Sequence, residues 1–127
     1  MLVMTVVHAL GLTAISKVLK LRKDRLKEMS FSFRSISLLS ATGLLLLSLH
    51  TFEIAIFAGF YLLIDAMGTV EEALYYSASN YATLGRTDDY LPPDWRLIGA
   101  LEALIGFLLI GWSTAFIVSK SNRLMPD

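Results

Sequence analysis

VEEALYYSASNYATLGRTD, residues 70–88, decides how this chain is read. Val70 to Ala82 is moderately apolar and rich in Ala, Tyr and Ser. It is too short to cross a membrane, which takes about 20 apolar residues as helix. Gly68 and Thr69 supply a break and a cap before it, and Glu71 and Glu72 suit the positive end of a helix. The pattern predicts a short helix ending near Thr83. Gly85, a polar run and Pro92-Pro93 follow and cannot continue it.

The flanks give the short helix its setting. Ser35 to Ile64 is a long apolar stretch holding one acid, Glu53, and one imidazole, His50, and Leu97 to Ser119 is another holding one acid, Glu102. A third, Met1 to about Leu19, is interrupted by Lys17. The chain has 127 residues, 55% hydrophobic and 17% charged, and its mean hydropathy is +0.61. So small a chain cannot hide that much apolar surface in one core. The three stretches are therefore read as spanning helices, because hydrocarbon leaves no other partner for backbone amides. Alternating segments of about 10 residues, the mark of a membrane barrel, are missing. The first stretch has its basic cluster after the apolar run, unlike a cleaved signal peptide, and is read as a retained helix. A re-entrant helix and loop between two spans is the arrangement that builds a selectivity filter.

Charge sets the expected orientation. Lys17, Lys20, Arg22, Lys23, Arg25, Lys27 and Arg34 lie between the first two spans, and Lys120 and Arg123 follow the third. Asp65, Glu71, Glu72, Asp88, Asp89 and Asp94 lie in the segment 65–96. The positive-inside rule puts the 20–34 linker and the C-terminus in the cytoplasm, and the N-terminus and the 65–96 segment outside the cell inner membrane. The linker either sets topology alone or lies on anionic lipid. Formal net charge is zero, so nothing points to nucleic acid. There are no cysteines, and neither a phosphate-cradling loop nor a nucleophile elbow occurs. No catalytic or metal site is expected.

The runs ALYYS (73–77) and NYATLGRTD (80–88) resemble the pore helix and filter of the potassium channel pore domain. LPPDWRLIGALEALIGFLLIGWSTAFIV and LHTFEI, beginning at Leu91 and Leu49, are similar to the inner and outer helices of small bacterial ion-channel proteins with an extra N-terminal helix. The resemblance covers roughly residues 45–118. It implies an all-α integral membrane protein of three transmembrane helices plus a re-entrant pore helix and filter-like loop, assembled as a homotetramer. The N-terminal helix and basic linker take residues 1–34. The pore-like part takes 35–127, with outer helix 35–64, pore helix and loop 67–96, and inner helix 97–119. Thr83, Leu84, Gly85, Arg86, Thr87 and Asp88 would form the filter, holding K+ or another monovalent ion and no other cofactor. Gly106 and Gly111 would be gating hinges, with close helix packing as the plainer alternative. Copies of the chain itself and membrane lipids are the expected partners.

The filter departs from the family's T-V-G-Y-G-D: this chain reads T-L-G-R-T-D. Thr87 stands where the resemblance puts a glycine in left-handed backbone, a substitution costing about 1–2 kcal/mol per copy. Arg86 stands at the tyrosine. Four guanidiniums about 8 Å from an axial cation would each repel it by about 2 kcal/mol at an effective dielectric of about 20. Turned away and paired with Asp88 or Asp89, they would brace the loop instead. The sequence leaves both poses open. It supports a passive ion channel with altered or weak selectivity, beside two alternatives: a non-conducting protein on a channel scaffold, or an accessory subunit of another channel.

His50 and Glu53 share a helix face, either as a proton-sensitive pair or as a structural one in which Glu53 accepts from the loop or from a neighbouring helix. A metal would need further ligands. His50, Glu53 and Glu102 are expected to be buried polar residues, Glu102 pairing with Arg96 or Arg86 or snorkelling to the outer surface. His8 and Trp112 read as packing or interfacial residues, and the tyrosines 75, 76, 81 and 90 with Trp95 as an aromatic belt and helix packing.

Overall fold

A computed structural model describes residues 2–25, 31–85 and 95–124. Among them are four α-helices and no strand: α1 (Leu2–Arg25), α2 (Phe31–Leu63), α3 (Val70–Tyr81) and α4 (Arg96–Leu124). Leu2–Lys23, Phe33–Leu63 and Arg96–Asn122 are long and apolar enough to span a bilayer. The chain is thus an all-helical, multi-pass membrane protein. All three helices outrun the apolar stretches, α1 through Lys20, Arg22 and Lys23 and α4 through Lys120. Leu, Lys and Arg are good helix formers, and leaving hydrocarbon does not stop a helix already nucleated. Arg86, Thr87 and Asp88 lie outside the described residues.

The chain packs as two compact units, one of residues 50–110 and one of residues 2–49 with 111 onward, so the division falls inside α2 and α4.

In the first unit α3 lies between the later part of α2 and the start of α4. Thr69 caps it in extended backbone (φ −133°, ψ 154°), its hydroxyl accepting from the Glu72 amide at 3.2 Å. This Thr-x-x-Glu start, with Glu71 and Glu72 in the first turn, is the local reason the helix begins there. Its 12 residues rise about 18 Å, far short of a span. Ala58, Tyr61, Ala66, Met67, Ala73 and Tyr76 form the core, with Phe57, Trp95 and Ile98 against it.

α2 and α3 end in the same motif. Asp65 N–H donates to Leu62 O and Ala66 N–H to Tyr61 O; likewise Thr83 N–H donates to Asn80 O and Leu84 N–H to Ser79 O. This paired closure needs left-handed backbone at the first residue past the cap, usually glycine. Here those residues are Asp65 (φ 53°) and Thr83 (φ 60°). Aspartate tolerates the region, but a β-branched threonine is strained there by about 1–2 kcal/mol.

In the second unit α1 packs on the first part of α2 and the end of α4. Leu12, Ile15, Leu19, Leu38, Ala41 and Leu46 make its core, joined by Leu49 and Phe116. Gly11 lets the Leu49 side chain come close, and a Cβ there would force that side chain to shift. His8 is fully buried, tilted against Trp112 at 5.4 Å with Nε2 3.3 Å from the Ser113 hydroxyl. It serves there as a packed polar residue.

Thr83→Gly should relieve the strain, raising unfolding stability in detergent by about 1 kcal/mol. A lowered thermal midpoint would show that Thr83 gains more from its side chain than its backbone loses.

Candidate functional site

Lipid is as apolar as the helices, so burying more hydrocarbon does little to hold α3 in place; polar bonds and close backbone packing must do it. The buried residues of α3 are Ala73, Tyr76, Ser77, Asn80 and Tyr81, spaced as one helical face. Two carboxylates reach this face, one from each neighbouring helix.

From α2 comes Glu53, fully buried. The Tyr81 hydroxyl donates to Glu53 Oε2 at 2.5 Å. His50 Nδ1 lies 2.8 Å from that hydroxyl and 3.2 Å from the same carboxylate oxygen. The hydroxyl oxygen accepts from His50 when Nδ1 carries the hydrogen, closing a three-membered polar ring. The His50 and Tyr81 rings meet edge to face at 5.7 Å.

From α4 comes Glu102, also fully buried. Its Oε2 accepts from the Tyr61 hydroxyl at 2.6 Å. Its Oε1 takes the Ser77 hydroxyl at 2.5 Å, and Ser77 also reaches the Ile54 carbonyl at 3.0 Å. Ser77 thus ties α3 to α2 and α4 at one point. The sequence marked Glu102 as a buried polar residue, with Arg96, Arg86 or the outer surface as its expected partner. It is instead turned inward, because a carboxylate deep in a span finds its partners in the protein interior.

Two glycines bring α4 onto α3. A Cβ at Gly99 would strike the Tyr76 hydroxyl and stand 3.3 Å from Asn80 Nδ2. A Cβ at Gly106 would overlap the Tyr81 carbonyl and come within 2.8 Å of the Tyr81 Cα. Gly99, Glu102 and Gly106 recur at three and four residues, so one face of α4 carries both glycines and the carboxylate between them. The contact at Gly106 is with backbone, which cannot rotate away. Gly111 has open space where a Cβ would stand.

The result is a short helix whose C-terminal end is fixed by Glu53, Tyr81 and Gly106, with the strained Thr83 immediately beyond. Leu84 is exposed, and Gly85 continues in left-handed backbone at φ 65°. Of the residues expected to form the filter, the structure describes Thr83, Leu84 and Gly85, at the end of α3. His50 and Glu53 come together as one group; Glu102 belongs to a separate one. Tyr61 and Ser77 are functional partners that sequence reasoning missed. His50, Glu53, Phe57 and Tyr61 recur at three or four residues along α2, a stripe that could have pointed to Tyr61.

The chain belongs to the two-transmembrane ion channel family, of the potassium channel pore type, whose family description, ion channel, matches residues 49–121. The match begins one residue before the first unit and takes in all of α3 and most of α4, leaving α1 outside. Neither a search of curated proteins nor one of solved structures gave a match. The protein is a membrane protein of the ion channel family, a transport class.

Glu102→Leu should cost about 1–3 kcal/mol, because it strands the Tyr61 hydroxyl away from water while Ser77 keeps the Ile54 carbonyl. Glu102→Gln, which keeps acceptor and volume, should cost less than half as much. Equal losses in chemical unfolding would show that the carboxylate is not the group that matters. Gly106→Ala should destabilise the fold more than Gly111→Ala, which has room; parity in thermal midpoint would contradict the close contact with Tyr81.

Proposed function

We propose that this protein is a passive ion channel in which four copies surround one axial path. Residues Thr83, Leu84, Gly85, Arg86, Thr87 and Asp88 form its filter. α3 is the pore helix, α2 the outer helix and α4 the inner helix. The observation that carries this reading is α3 itself, a helix too short to span, bonded through Ser77 and Tyr81 to carboxylates on both flanking helices. A filter needs its first residue held in place, and Thr83 directly follows Ala82, the C-cap of α3. One re-entrant loop cannot enclose a pore, so a symmetric oligomer about the membrane normal is part of the proposal.

Carbonyls of the filter would hold K+ or another monovalent ion in place of its hydration shell. Arg86 and Thr87 make selectivity for potassium weak or altered. The charge pattern supports an N-terminus outside and a C-terminus in the cytoplasm of the cell inner membrane, and copies of the chain and membrane lipids are its partners. Arg86 also supports a second reading, a non-conducting protein or an accessory subunit that keeps the scaffold, since four inward guanidiniums would bar cations.

Flux from liposomes holding the purified chain separates these readings. Potassium or sodium flux above empty vesicles is expected. Stable oligomers without flux would establish the non-conducting reading, and obligate copurification with a different channel chain the accessory one. Arg86→Tyr with Thr87→Gly should raise potassium over sodium flux by removing the charge and freeing the backbone. If that variant reaches the membrane as an oligomer and passes no potassium, the assignment of the filter is wrong.

A further inference from the structure

A cavity of about 350 Å³ opens in the second unit, lined by Ser16, Leu19, Lys20, Lys23, Leu38, Thr42 and Lys120. Three of the seven lining residues are lysines, and none is acidic. Lys20 and Lys23 come from the end of α1 and Lys120 from the end of α4, a hundred residues apart in sequence. Leu19 and Leu38 are buried and give the cavity an apolar floor. Lys120 lies over the Phe116 ring at 5.0 Å, which holds its stem against the helix. The cavity therefore combines a cluster of positive charge with an adjoining hydrocarbon surface, at the end of membrane-spanning helices.

We infer that this cavity binds an anionic phospholipid, the headgroup phosphate held by Lys20, Lys23 and Lys120 and the first acyl carbons lying on Leu19 and Leu38. Charge complementarity selects an anion, and the apolar floor selects one attached to a chain. Basic recesses between spanning helices, at the ends richest in Lys and Arg, meet anionic headgroups of the facing leaflet. Six of the seven lining residues precede residue 49, so all of the site but Lys120 lies outside the family match. It rests on the membrane-spanning reading and is independent of conduction.

The test is lipid retention by the full chain, purified in detergent from vesicles of phosphatidylcholine with phosphatidylglycerol, read by native mass spectrometry. Preferential retention of phosphatidylglycerol is expected. Lys20→Gln with Lys23→Gln and Lys120→Gln should weaken it roughly a hundredfold, at about fivefold per lysine. Lys17→Gln with Arg22→Gln, which changes basic residues outside the cavity, should leave it intact. Ser16→Phe, which fills the cavity and keeps every charge, should also abolish retention; this variant decides the matter if the triple lysine variant does not fold. Equal loss in the Lys17 and Arg22 variant would mean diffuse attraction and overturn the site. Displacement of the lipid by millimolar inorganic phosphate would show a site for soluble phosphate and overturn the lipid assignment.

Discussion

Two buried carboxylates hold this fold at its critical point. Glu53 and Glu102 stand on helices that run on either side of α3, and each takes a hydroxyl hydrogen from it, from Tyr81 and Ser77. In water, an amphipathic helix of 12 residues could be held by its apolar face. In hydrocarbon that force is absent, and hydrogen bonds with nowhere else to go take its place. A charged or strongly polar group at membrane depth is costly, so its presence marks a contact the fold needs. The two acids also bond at different places along α3, which fixes its tilt and rotation together.

Steric fit completes what the hydrogen bonds begin. Gly106 admits the Tyr81 backbone directly against α4, and Gly99 admits the Tyr76 hydroxyl. The same small stretch therefore carries a polar bond, a backbone contact and, one step on, the strained Thr83. Strain of about 1–2 kcal/mol persists only where the surroundings over-determine the backbone, and this is such a place. For a protein of the ion channel family, the consequence is a rigid platform beneath the segment that follows α3. Gly106, open in the sequence to a hinge or a close-packing role, seats another helix here.

The second unit has different chemistry. Its core is aliphatic, and its polar residues include the buried His8, Ser35, Thr42 and Ser113 and the lysines around a cavity. It lies largely outside the family match, and the end of α1 brings it the basic residues Lys20, Arg22 and Lys23.

The sequence by itself determined the class. Three apolar stretches with a fourth too short to span are written in composition, since hydrocarbon sets helix length directly. The Thr69 cap, the acidic first turn and the end of α3 near Thr83 were legible as well, because they depend on neighbours within four residues. So was the need of Glu53 and Glu102 for partners. Which partners they found was decided by tertiary structure. Glu102 meets Tyr61 and Ser77 from 41 and 25 residues away, a distance at which local pattern carries no information. The left-handed backbone at Thr83 was hidden for a related reason. Threonine rarely adopts it, and only the bonds closing α3, together with helices packed from both sides, impose a conformation that its own side chain opposes.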